Sequence, residues 1–508
     1  MIRDFQRLAD GIFDLAVIGG GITGAGVALD ATRRGLKTVL IEKNDFGSGT
    51  SGISSKLIHG GLRYLERGQF SLVYESLRER GRLLRNAPHL VRPLPFFLPL
   101  FPGSRVPPWK WRAGLKLYDL LAGPWNIQSS KALSPWDVGK LKIPWKMLPA
   151  GCLSFFDAQM DDSRLCLEVL ISASQQGARL VNHAEVASLD IFPGRVSRLR
   201  VRDLLSGKEG ELQARAVLNA TGPWCDSIRK LAGESGPNLL SQTKGIHLVY
   251  PDWNLPGALL LLHPRDGRVF FIIPWMGKTL VGTTDTDCKS DPSKVEATPD
   301  DVAYLQEGVD AFFQLPSGLD APVCSFAGLR PLVNSAASPA ARSREFLLHE
   351  GSSGLLSAVG GKFTTFRSMA EEITNTISRK LGNTQPCTTQ NLLLAGGHGV
   401  RKEVFFRQGL LELKWRYGVN NEPGAHLLSR YGTRARRVAA VLAQEPRFLE
   451  PVIPGFPDLA GEFLFQQKEE MAHTGGDFLF QRTRLGLLAT KGELAWARKV
   501  LREITGVE

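Results

Sequence analysis

A glycine-rich turn near the amino terminus constrains the fold of this chain more than any other feature. Gly19, Gly21 and Gly24 have the spacing GxGxxG. An apolar run, Asp14–Ile18, precedes them, and a segment of helical character, Ala25–Arg34, follows. In such a unit the first glycine permits the turn, the second lets the backbone approach a pyrophosphate, and the third lets helix and strand pack closely. The sequence therefore predicts a dinucleotide-binding β-α-β unit, with the amino terminus of the helix facing the phosphates.

A carboxylate follows where such units bind a ribose. Glu42 ends the next apolar run, Leu36–Glu42, about 20 residues beyond Gly24. An acidic side chain at this distance accepts hydrogen bonds from ribose hydroxyls and disfavours a phosphorylated ribose. The turn and Glu42 together are compatible with either NAD or FAD.

Composition and charge exclude several classes of protein. The chain has 508 residues, of which 43% are hydrophobic and 22% charged, as in a soluble globular protein of two or three domains. Its six cysteines form no CxxC pair, which argues against a metal cluster or a disulfide framework and favours a reducing cytoplasm. No apolar run approaches the roughly 20 residues of a membrane-spanning helix. A formal charge of +12 favours an anionic partner, and its sign alone does not choose among nucleic acid, lipid and a charged metabolite.

A segment dense in hydroxyls, glycines and cations comes after the β-α-β unit. Hydroxyls satisfy phosphate or ring oxygens, and glycines let a backbone lie close to a flat cofactor ring. On composition alone, a cofactor-contacting loop and an ordinary exposed loop are equally good interpretations. The residues concerned are Thr50, Ser51, Ser55, Lys56, His59, Gly60 and Gly61.

The stretch SSKLIHGGLRYLE, Ser54–Glu66, resembles the signature of the FAD-dependent, quinone-linked glycerol-3-phosphate dehydrogenases, within the D-amino-acid-oxidase-like flavoproteins. Two parts of the chain depart from the family pattern: Gly52 stands where the family more often has a side chain, and the linker Gly233–Leu240 matches only loosely. Similar blocks extend over nearly the full chain: NATGPWCD (219–226), KGIHLVYP (244–251), FFIIPWMGKTLVGTTDTD (270–287), GLRPL (328–332), GGKFTTFR (360–367) and MAHTGGDFLFQRTRLGL (471–487).

The resemblance implies an α/β fold with three parts. These are a Rossmann-like FAD-binding domain of the glutathione-reductase and D-amino-acid-oxidase type, a substrate domain built on a mixed β-sheet, and an α-helical C-terminal cap. We expect the FAD-binding domain in residues 1–80, 150–228 and 335–388, the substrate domain in 81–149 and 229–334, and the cap in 389–508. Within the cap, helical patterns cover Thr433–Ala443, Phe463–Met471 and Lys491–Ile504.

The same blocks imply that the cofactor is FAD. Ala220, Thr221 and Gly222 follow the apolar run Ala216–Asn219 and resemble a second flavin-contacting turn. The block GGKFTTFR opens a predicted helix whose amino terminus can stabilise negative charge on the flavin. The expected cofactor-binding residues are Gly19, Gly21, Gly24, Glu42, Thr50, Ser51, Ser55, Lys56, His59, Ala220, Thr221, Gly222, Gly361, Lys362, Phe363 and Thr364.

The implied reaction is the oxidation of sn-glycerol 3-phosphate to dihydroxyacetone phosphate, with FAD accepting a hydride and ubiquinone or menaquinone the electrons. Removing a hydride from a secondary alcohol needs a base for the hydroxyl proton and a cationic grip on the phosphate. His247 has a suitable ordinary pKa, and Lys362 would serve if burial lowered its pKa. We favour His247 as the base and Lys362 as an electrostatic group, with Arg330 completing the catalytic set. The expected substrate contacts are Arg63, Tyr64, Asp285, Arg330 and Arg344.

Residues 94–121 suggest a contact with lipid. Phenylalanine, tryptophan and leucine alternate there with Lys110, Arg112 and Lys116, and aromatic residues beside cations suit a membrane interface. Ordinary core packing with a basic rim is the alternative. We expect a cytoplasmic protein bound peripherally, as a monotopic protein, to the anionic inner face of the cell membrane, and the resemblance also allows a homodimer.

Two other functions are consistent with parts of the sequence. A flavin oxidase would pass electrons to oxygen and act on glycerol phosphate or on an amine, and the arginines favour the phosphate. A nucleic-acid-binding protein on a flavin fold would account for the positive charge. The charge is scattered along the chain, however, and no RRM or KH motif is present, so we expect no nucleic-acid partner.

Overall fold

The computed structural model describes residues 1–104, 106–192, 196–334, 346–399 and 402–508. Two β-sheets and a C-terminal block of helices form the fold. The strands are β1 (Ile12–Ile18), β2 (Thr38–Ile41), β3 (Leu57–Ile58), β4 (Val91–Pro99), β5 (Lys131–Leu133), β6 (Cys152–Met160), β7 (Arg179–Val181), β8 (Ala184–Asp190), β9 (Ser197–Asp203), β10 (Glu209–Asn219), β11 (Leu240–Pro251), β12 (Ala258–Leu262), β13 (Val269–Trp275), β14 (Lys278–Gly282), β15 (Thr286–Asp287), β16 (Cys324–Val333), β17 (Phe346–Glu350) and β18 (Leu356–Gly360). The helices are α1 (Ile22–Arg33), α2 (Phe70–Asn86), α3 (Pro108–Ala122), α4 (Pro135–Lys140), α5 (Asp162–Gln175), α6 (Cys225–Leu231), α7 (Pro299–Phe312), α8 (Phe366–Leu381), α9 (Lys402–Tyr417), α10 (Asn421–Tyr431), α11 (Ala435–Leu442), α12 (Ala460–Glu470), α13 (Leu485–Leu488) and α14 (Lys491–Thr505).

The first sheet has eight strands and is parallel at its centre. Strands β18, β10, β1, β2 and β7 lie side by side in that order, and every contact between them is parallel. Antiparallel strands complete it, with β17 beside β18 and the pair β8 and β9 continuing from β10. Parallel strands present their carboxyl ends at one edge of the sheet, which is where such folds bind ligands. That edge brings together Gly19, Glu42, Ala220 and Gly360, which end or directly follow β1, β2, β10 and β18.

The predicted β-α-β unit is confirmed. Strand β1 is central in the sheet, and Leu15, Ala16 and Val17 are fully buried because both faces of a parallel sheet are covered. Helix α1 begins at Ile22, three residues before the predicted start, since Gly21 is its N-cap. The glycines of the motif thus belong partly to the helix.

The second sheet has ten strands and is almost entirely antiparallel. Its longest pairing joins β11 to β16 along ten residues, from Leu240 opposite Val333 to Val249 opposite Cys324. In this register Thr243 lies opposite Arg330. On the other side of β11, His247 lies opposite Gly282 of β14. The sheet therefore fixes the relative positions of His247 and Arg330.

The stretch predicted to contact lipid is divided between core and surface. Strand β4 lies between β6 and β12, and its residues Leu94, Phe96 and Leu98 are buried. The prediction is therefore wrong for residues 94–99, because strands flank β4 on both edges and its apolar side chains pack into two buried clusters. Helix α3 is different, because Trp109 is 69% exposed and Leu120 is 76% exposed.

The C-terminal residues form the predicted helical block, and α11, α12 and α14 coincide closely with the three predicted helices. Buried ion pairs join this block to the first sheet's helices and loops, including Arg164 with Glu470 at 2.6 Å and Arg482 with Asp45. Strands β3 and β6 belong to the second sheet, although they fall inside the segments 1–80 and 150–228 that were predicted to form the FAD-binding domain. The domain boundaries therefore stay a prediction. Across the described ranges, every helix is too short or too polar to span a bilayer.

Candidate active site

A cleft of about 900 Å³ runs from the glycine-rich turn of the first sheet to strands β11 and β16 of the second. This volume is in the upper part of the range for ligand and cofactor sites. Seventeen of the predicted site residues line it: Gly19, Gly21, Glu42, Thr50, Ser51, Ser55, His59, Tyr64, Ala220, Thr221, Gly222, His247, Arg330, Gly361, Lys362, Phe363 and Thr364.

The glycine-rich turn forms one end of the cleft. Gly19 has a φ of +109°, and a Cβ there would lie 2.6 Å from the carbonyl oxygen of Ala220. Gly24 lies behind the cleft wall, and a Cβ there would lie 2.0 Å from the carbonyl oxygen of Gly19. Neither position has room for a side chain, which leaves bare backbone facing the cleft. The Ile22 N–H, at the start of α1, donates to Ser51 Oγ over 2.9 Å. This end fits the pyrophosphate of a dinucleotide.

Glu42 is fixed at the same edge. Its Oε2 accepts a hydrogen bond from the Gly20 N–H at 2.6 Å, and its Oε1 accepts one from the Asn44 N–H at 2.8 Å. Burial raises the pKa of Glu42, and these two N–H groups oppose that shift. The carboxylate is thus held in place at the cleft wall, as a ribose contact requires.

His247 lies at the other end of the cleft. Its Nε2 is 2.9 Å from Ser55 Oγ, and its ring stacks on Phe326 with centroids 5.0 Å apart. Position 282 has to be glycine, because a Cβ there would lie 2.2 Å from Cδ2 of the imidazole. Burial, followed by the charges of Lys56 and Arg330, lowers the pKa of His247 to about 3. The imidazole is therefore neutral near pH 7.

We expect His247 to show no protonation between about pH 5 and pH 8, where an ordinary histidine titrates. The unfolded chain binds this proton below about pH 6.5, whereas the folded chain does so only near its lowered pKa of about 3. The free energy of unfolding therefore decreases as the pH falls from about 6.5 toward about 3, because only the unfolded chain gains the proton over that range. Imidazole ¹³C shifts, assigned with His247→Gln, measure the titration. A midpoint near 6.5 would show that the ring is solvated.

The Arg330 guanidinium is held by oxygens of one loop. Nη1 donates to Asp285 Oδ1 at 3.2 Å, and Nη2 donates to Thr283 Oγ1 at 2.9 Å. The guanidinium lies against Gly245, where a Cβ would be 2.2 Å from Nη2. Both Gly245 and Arg330 line the cleft, so a fixed cation faces the space beside His247.

Lys362 follows strand β18 and also lines the cleft. Its Nζ is buried and lies 3.8 Å from the centroid of the Tyr64 ring, a cation–π contact. Nearby, Thr364 Oγ1 accepts a hydrogen bond from the His59 N–H at 3.3 Å. Lys362 and Tyr64 therefore line the same cleft as His247 and Arg330.

Besides Gly24, three of the described site residues that were predicted do not line the cleft: Lys56, Asp285 and Arg63. The ammonium of Lys56 is fully buried and bonds to Asp162 at 2.7 Å, so this side chain points away from the cleft wall. Asp285 lies behind Arg330 and bonds to its guanidinium. Arg63 is next to Tyr64 in a short 3₁₀ helix and is not among the residues that form the cleft wall. Arg344 lies outside the described residues.

Three residues that shape the site were not anticipated: Gly245, Gly282 and Phe326. The glycines matter because they leave space for Arg330 and His247, and Phe326 supports the imidazole. Gly245 and Gly282 fall inside quoted sequence blocks, but only the pairing of β11 with β14 and β16 shows what they face.

The fold and the cleft are those of a dinucleotide-binding protein, a class in which the cofactor's phosphates lie at the glycine-rich turn. The family described as FAD dependent oxidoreductase matches residues 14–367, and the C-terminal domain of alpha-glycerophosphate oxidase matches residues 387–507. The mitochondrial glycerol-3-phosphate dehydrogenase of Arabidopsis thaliana is 38% identical over 94% of this chain and 80% of its own. The human mitochondrial enzyme is 37% identical over 94% of this chain and 68% of its own. This protein belongs to the FAD-dependent glycerol-3-phosphate dehydrogenase family.

Solved structures agree with this assignment. The glycerol-3-phosphate dehydrogenase of Bacillus halodurans, complexed with FAD, superimposes with a TM-score of 0.79 at 29% identity. That similarity covers 99% of this chain and 92% of the Bacillus chain. The L-alpha-glycerophosphate oxidase of Mycoplasma pneumoniae, at 17% identity and a TM-score of 0.56, shares the fold.

Proposed function

We propose that this protein oxidises sn-glycerol 3-phosphate to dihydroxyacetone phosphate and passes the electrons to a membrane quinone. The observation that supports this most is that a fixed guanidinium, a neutral imidazole and a lysine all line the same cleft. In the reaction, the C–H and O–H bonds of the secondary alcohol break and a carbonyl forms. Bound FAD supplies the acceptor for the hydride, and the protein has to take the proton.

His247 is the proposed proton acceptor, at Nε2. This nitrogen contacts Ser55, a residue of the cleft wall, whereas Nδ1 is buried and has no hydrogen-bond partner among the described residues. Because the pKa of His247 is lowered to about 3, the imidazole can accept a proton at neutral pH but holds it weakly. A bound phosphate dianion would favour the charged imidazolium. Binding of the substrate dianion is therefore expected to raise the proton affinity of His247 toward the range in which a general base works well.

Lys362 is proposed to stabilise negative charge on the substrate oxygen as the proton leaves. Its Nζ lies over the face of the Tyr64 ring, and both residues line the cleft, so a positive charge lies in the cleft wall. A cation aimed at a developing oxyanion in a water-poor site acts strongly, since little solvent screens it. If Lys362 were itself the base, it would have to lose its proton in the resting enzyme.

Arg330 is the proposed phosphate contact, because a guanidinium binds phosphate oxygens with two parallel hydrogen bonds. Asp285 is then a residue that orients Arg330, since its carboxylate accepts from Nη1. Arg63, Tyr64 and Arg344 remain proposed substrate contacts. The cations that line the cleft suit a substrate that carries a phosphate better than an amine substrate, because a protonated amine is positively charged and would be repelled.

We also propose that α3 contacts the anionic cytoplasmic face of the cell membrane. Trp109 and Leu120 are exposed on this helix, which also carries Lys110, Arg112 and Lys116. An apolar side chain inserts at the lipid boundary while cations bind headgroups. Phe70 and Tyr74, on the neighbouring α2, are about half-exposed and extend the apolar surface. Such a surface would bring the enzyme to a quinone acceptor.

The acceptor can be tested directly, and the match of the C-terminal residues to an oxidase domain makes oxygen the alternative. We expect the substrate-reduced enzyme to be reoxidised by a soluble ubiquinone analogue at least about 100-fold faster than by dissolved oxygen, which corresponds to about 3 kcal/mol in activation free energy. Stopped-flow absorbance measures both rates, and dihydroxyacetone phosphate is quantified in the same samples. Equal rates, or stoichiometric hydrogen peroxide, would instead identify an oxidase.

A further inference from the structure

A fully buried charge cluster lies directly behind the loop that forms the middle of the cleft wall. Lys56 and Asp162 are each 0% exposed, and Arg484 is 1% exposed. Asp162 Oδ1 accepts from Arg484 Nη2 at 2.6 Å, and its Oδ2 accepts from Lys56 Nζ at 2.7 Å. Arg484 precedes α13 in the C-terminal helical block, whereas Lys56 and Asp162 lie far from it in sequence. The helical block thus contributes a charge to the back of the cofactor site.

Both cations also bind the loop backbone. The carbonyl oxygen of Gly52 accepts from Lys56 Nζ at 2.9 Å and from Arg484 Nη2 at 2.5 Å. Gly52 itself has no room for a side chain, since a Cβ there would lie 2.5 Å from the carbonyl oxygen of Gly47 and from Ser163 Oγ. This close packing accounts for the glycine at position 52.

The carboxylate of the cluster holds the next part of the same loop. Asp162 Oδ2 accepts from the Ser54 N–H at 2.9 Å and from Ser54 Oγ at 2.7 Å. Ser54 is followed by Ser55, whose hydroxyl contacts His247, and preceded by Ser51, whose hydroxyl binds the start of α1. The segment 47–55 faces the cleft with its front and binds the charge cluster with its back.

Arg484 differs in this respect from Arg430, another buried arginine of the helical block. Arg430 bonds to Asp458 and Glu462 and to the carbonyl oxygen of Thr483, all within the block. Arg484 bonds across to Gly52, Asp162 and Ser163. Removing one member of a buried ion pair leaves the remaining charges uncompensated. Loss of Arg484 should therefore disturb segment 47–55 as well as the C-terminal helices.

We propose that Arg484 is a positioning residue of the cofactor site, which holds segment 47–55 in the shape that binds FAD. Docking of the helical block and binding of FAD are then coupled, although Arg484 itself lies behind the cleft wall. The proposal rests on FAD as the cofactor and is independent of the substrate and of the electron acceptor. It also gives the C-terminal block a role in the flavin site.

The test measures release of FAD from purified holoenzyme, which raises flavin fluorescence on dilution. Arg484→Met should raise the Kd for FAD by about tenfold or more, a typical size for coupling between sites. The matched control is Arg430→Met, which removes another buried arginine, whose partners all lie within the helical block. It should lower the melting temperature and leave the Kd for FAD unchanged.

Arg484→Lys provides a second variant if Arg484→Met does not fold. It keeps the charge but cannot reach Gly52 and Asp162 with one planar fork, so we expect an intermediate Kd and nearly normal melting temperature. By reciprocity, FAD should also raise the melting temperature less in the Arg484 variants than in wild type. A wild-type Kd in both variants would overturn the proposal. So would an equal rise in Kd for Arg430→Met, which would show a general effect of destabilisation.

Discussion

Arg330→Met should raise the KM for glycerol 3-phosphate by roughly 100-fold or more, because each hydrogen bond to a charged group contributes about 1.5–3 kcal/mol. The guanidinium is held by Asp285 and Thr283 in a fixed orientation beside His247, so its loss also removes a prepared cation from the site. Steady-state kinetics with a quinone analogue measure the effect. The glycine-rich turn that is proposed to bind the pyrophosphate of FAD lies at the other end of the cleft. FAD should therefore stay bound, with an unchanged absorbance spectrum.

Two controls make this result specific. Arg330→Lys keeps the charge but loses the bidentate fork, so its KM should lie between those of wild type and Arg330→Met. Arg268→Met removes a cation that donates to the Asp285 carbonyl oxygen but does not line the cleft, and it should change KM little. A wild-type KM for Arg330→Met would remove Arg330 from the substrate site.

His247→Gln should slow reduction of the flavin by glycerol 3-phosphate by about 10² to 10⁴, the usual contribution of a general base. The glutamine amide can still bond to Ser55, so the cleft wall is disturbed little while the proton acceptor is lost. Because the hydroxyl proton is transferred only during reaction, KM should change far less than the rate. Rapid mixing under anaerobic conditions measures the rate of flavin bleaching directly.

Lys362→Met separates the two candidate bases. If Lys362 is an electrostatic group, its loss should slow bleaching, yet the residual rate should remain independent of pH across the range in which His247 stays neutral. If Lys362 is the base, its loss should cause the larger fall, and wild-type activity should rise with pH as the ammonium deprotonates. That second outcome would reverse the roles proposed for Lys362 and His247.

Local sequence patterns predicted the first part of the fold well, and composition predicted the surface poorly. The conformation of the turn Gly19–Gly24 is determined by residues close to it in sequence. The spacing of the glycines was therefore enough to predict a strand, a turn and a helix. Residues 94–99 were misassigned to a lipid contact because composition does not reveal that β6 and β12 flank β4 on both sides. Helix α3, in the second half of that stretch, does expose large apolar side chains, Trp109 and Leu120.

Residues that line the cleft were predictable where a family block marks them, whereas their surroundings were not predictable where distant residues decide them. Lys56 was expected at the cofactor, but its partner Asp162 lies 106 residues further along the chain and draws the ammonium away. The depressed pKa of His247 likewise depends on burial and on Lys56 and Arg330, which strand pairing and loop packing bring near it. Gly245 and Gly282 became informative only once their neighbours across the sheet were known.

Anaerobic titration of the purified protein with sn-glycerol 3-phosphate tests the proposed reaction most directly. Bound FAD should lose its absorbance near 450 nm, a general property of flavins, roughly in proportion to substrate added. One dihydroxyacetone phosphate should form for each FAD reduced. The enantiomer sn-glycerol 1-phosphate, glycerol and an amino acid serve as controls and should leave the spectrum oxidised. A flavin that stays oxidised with sn-glycerol 3-phosphate, or is reduced by the amino acid instead, would contradict the proposed function.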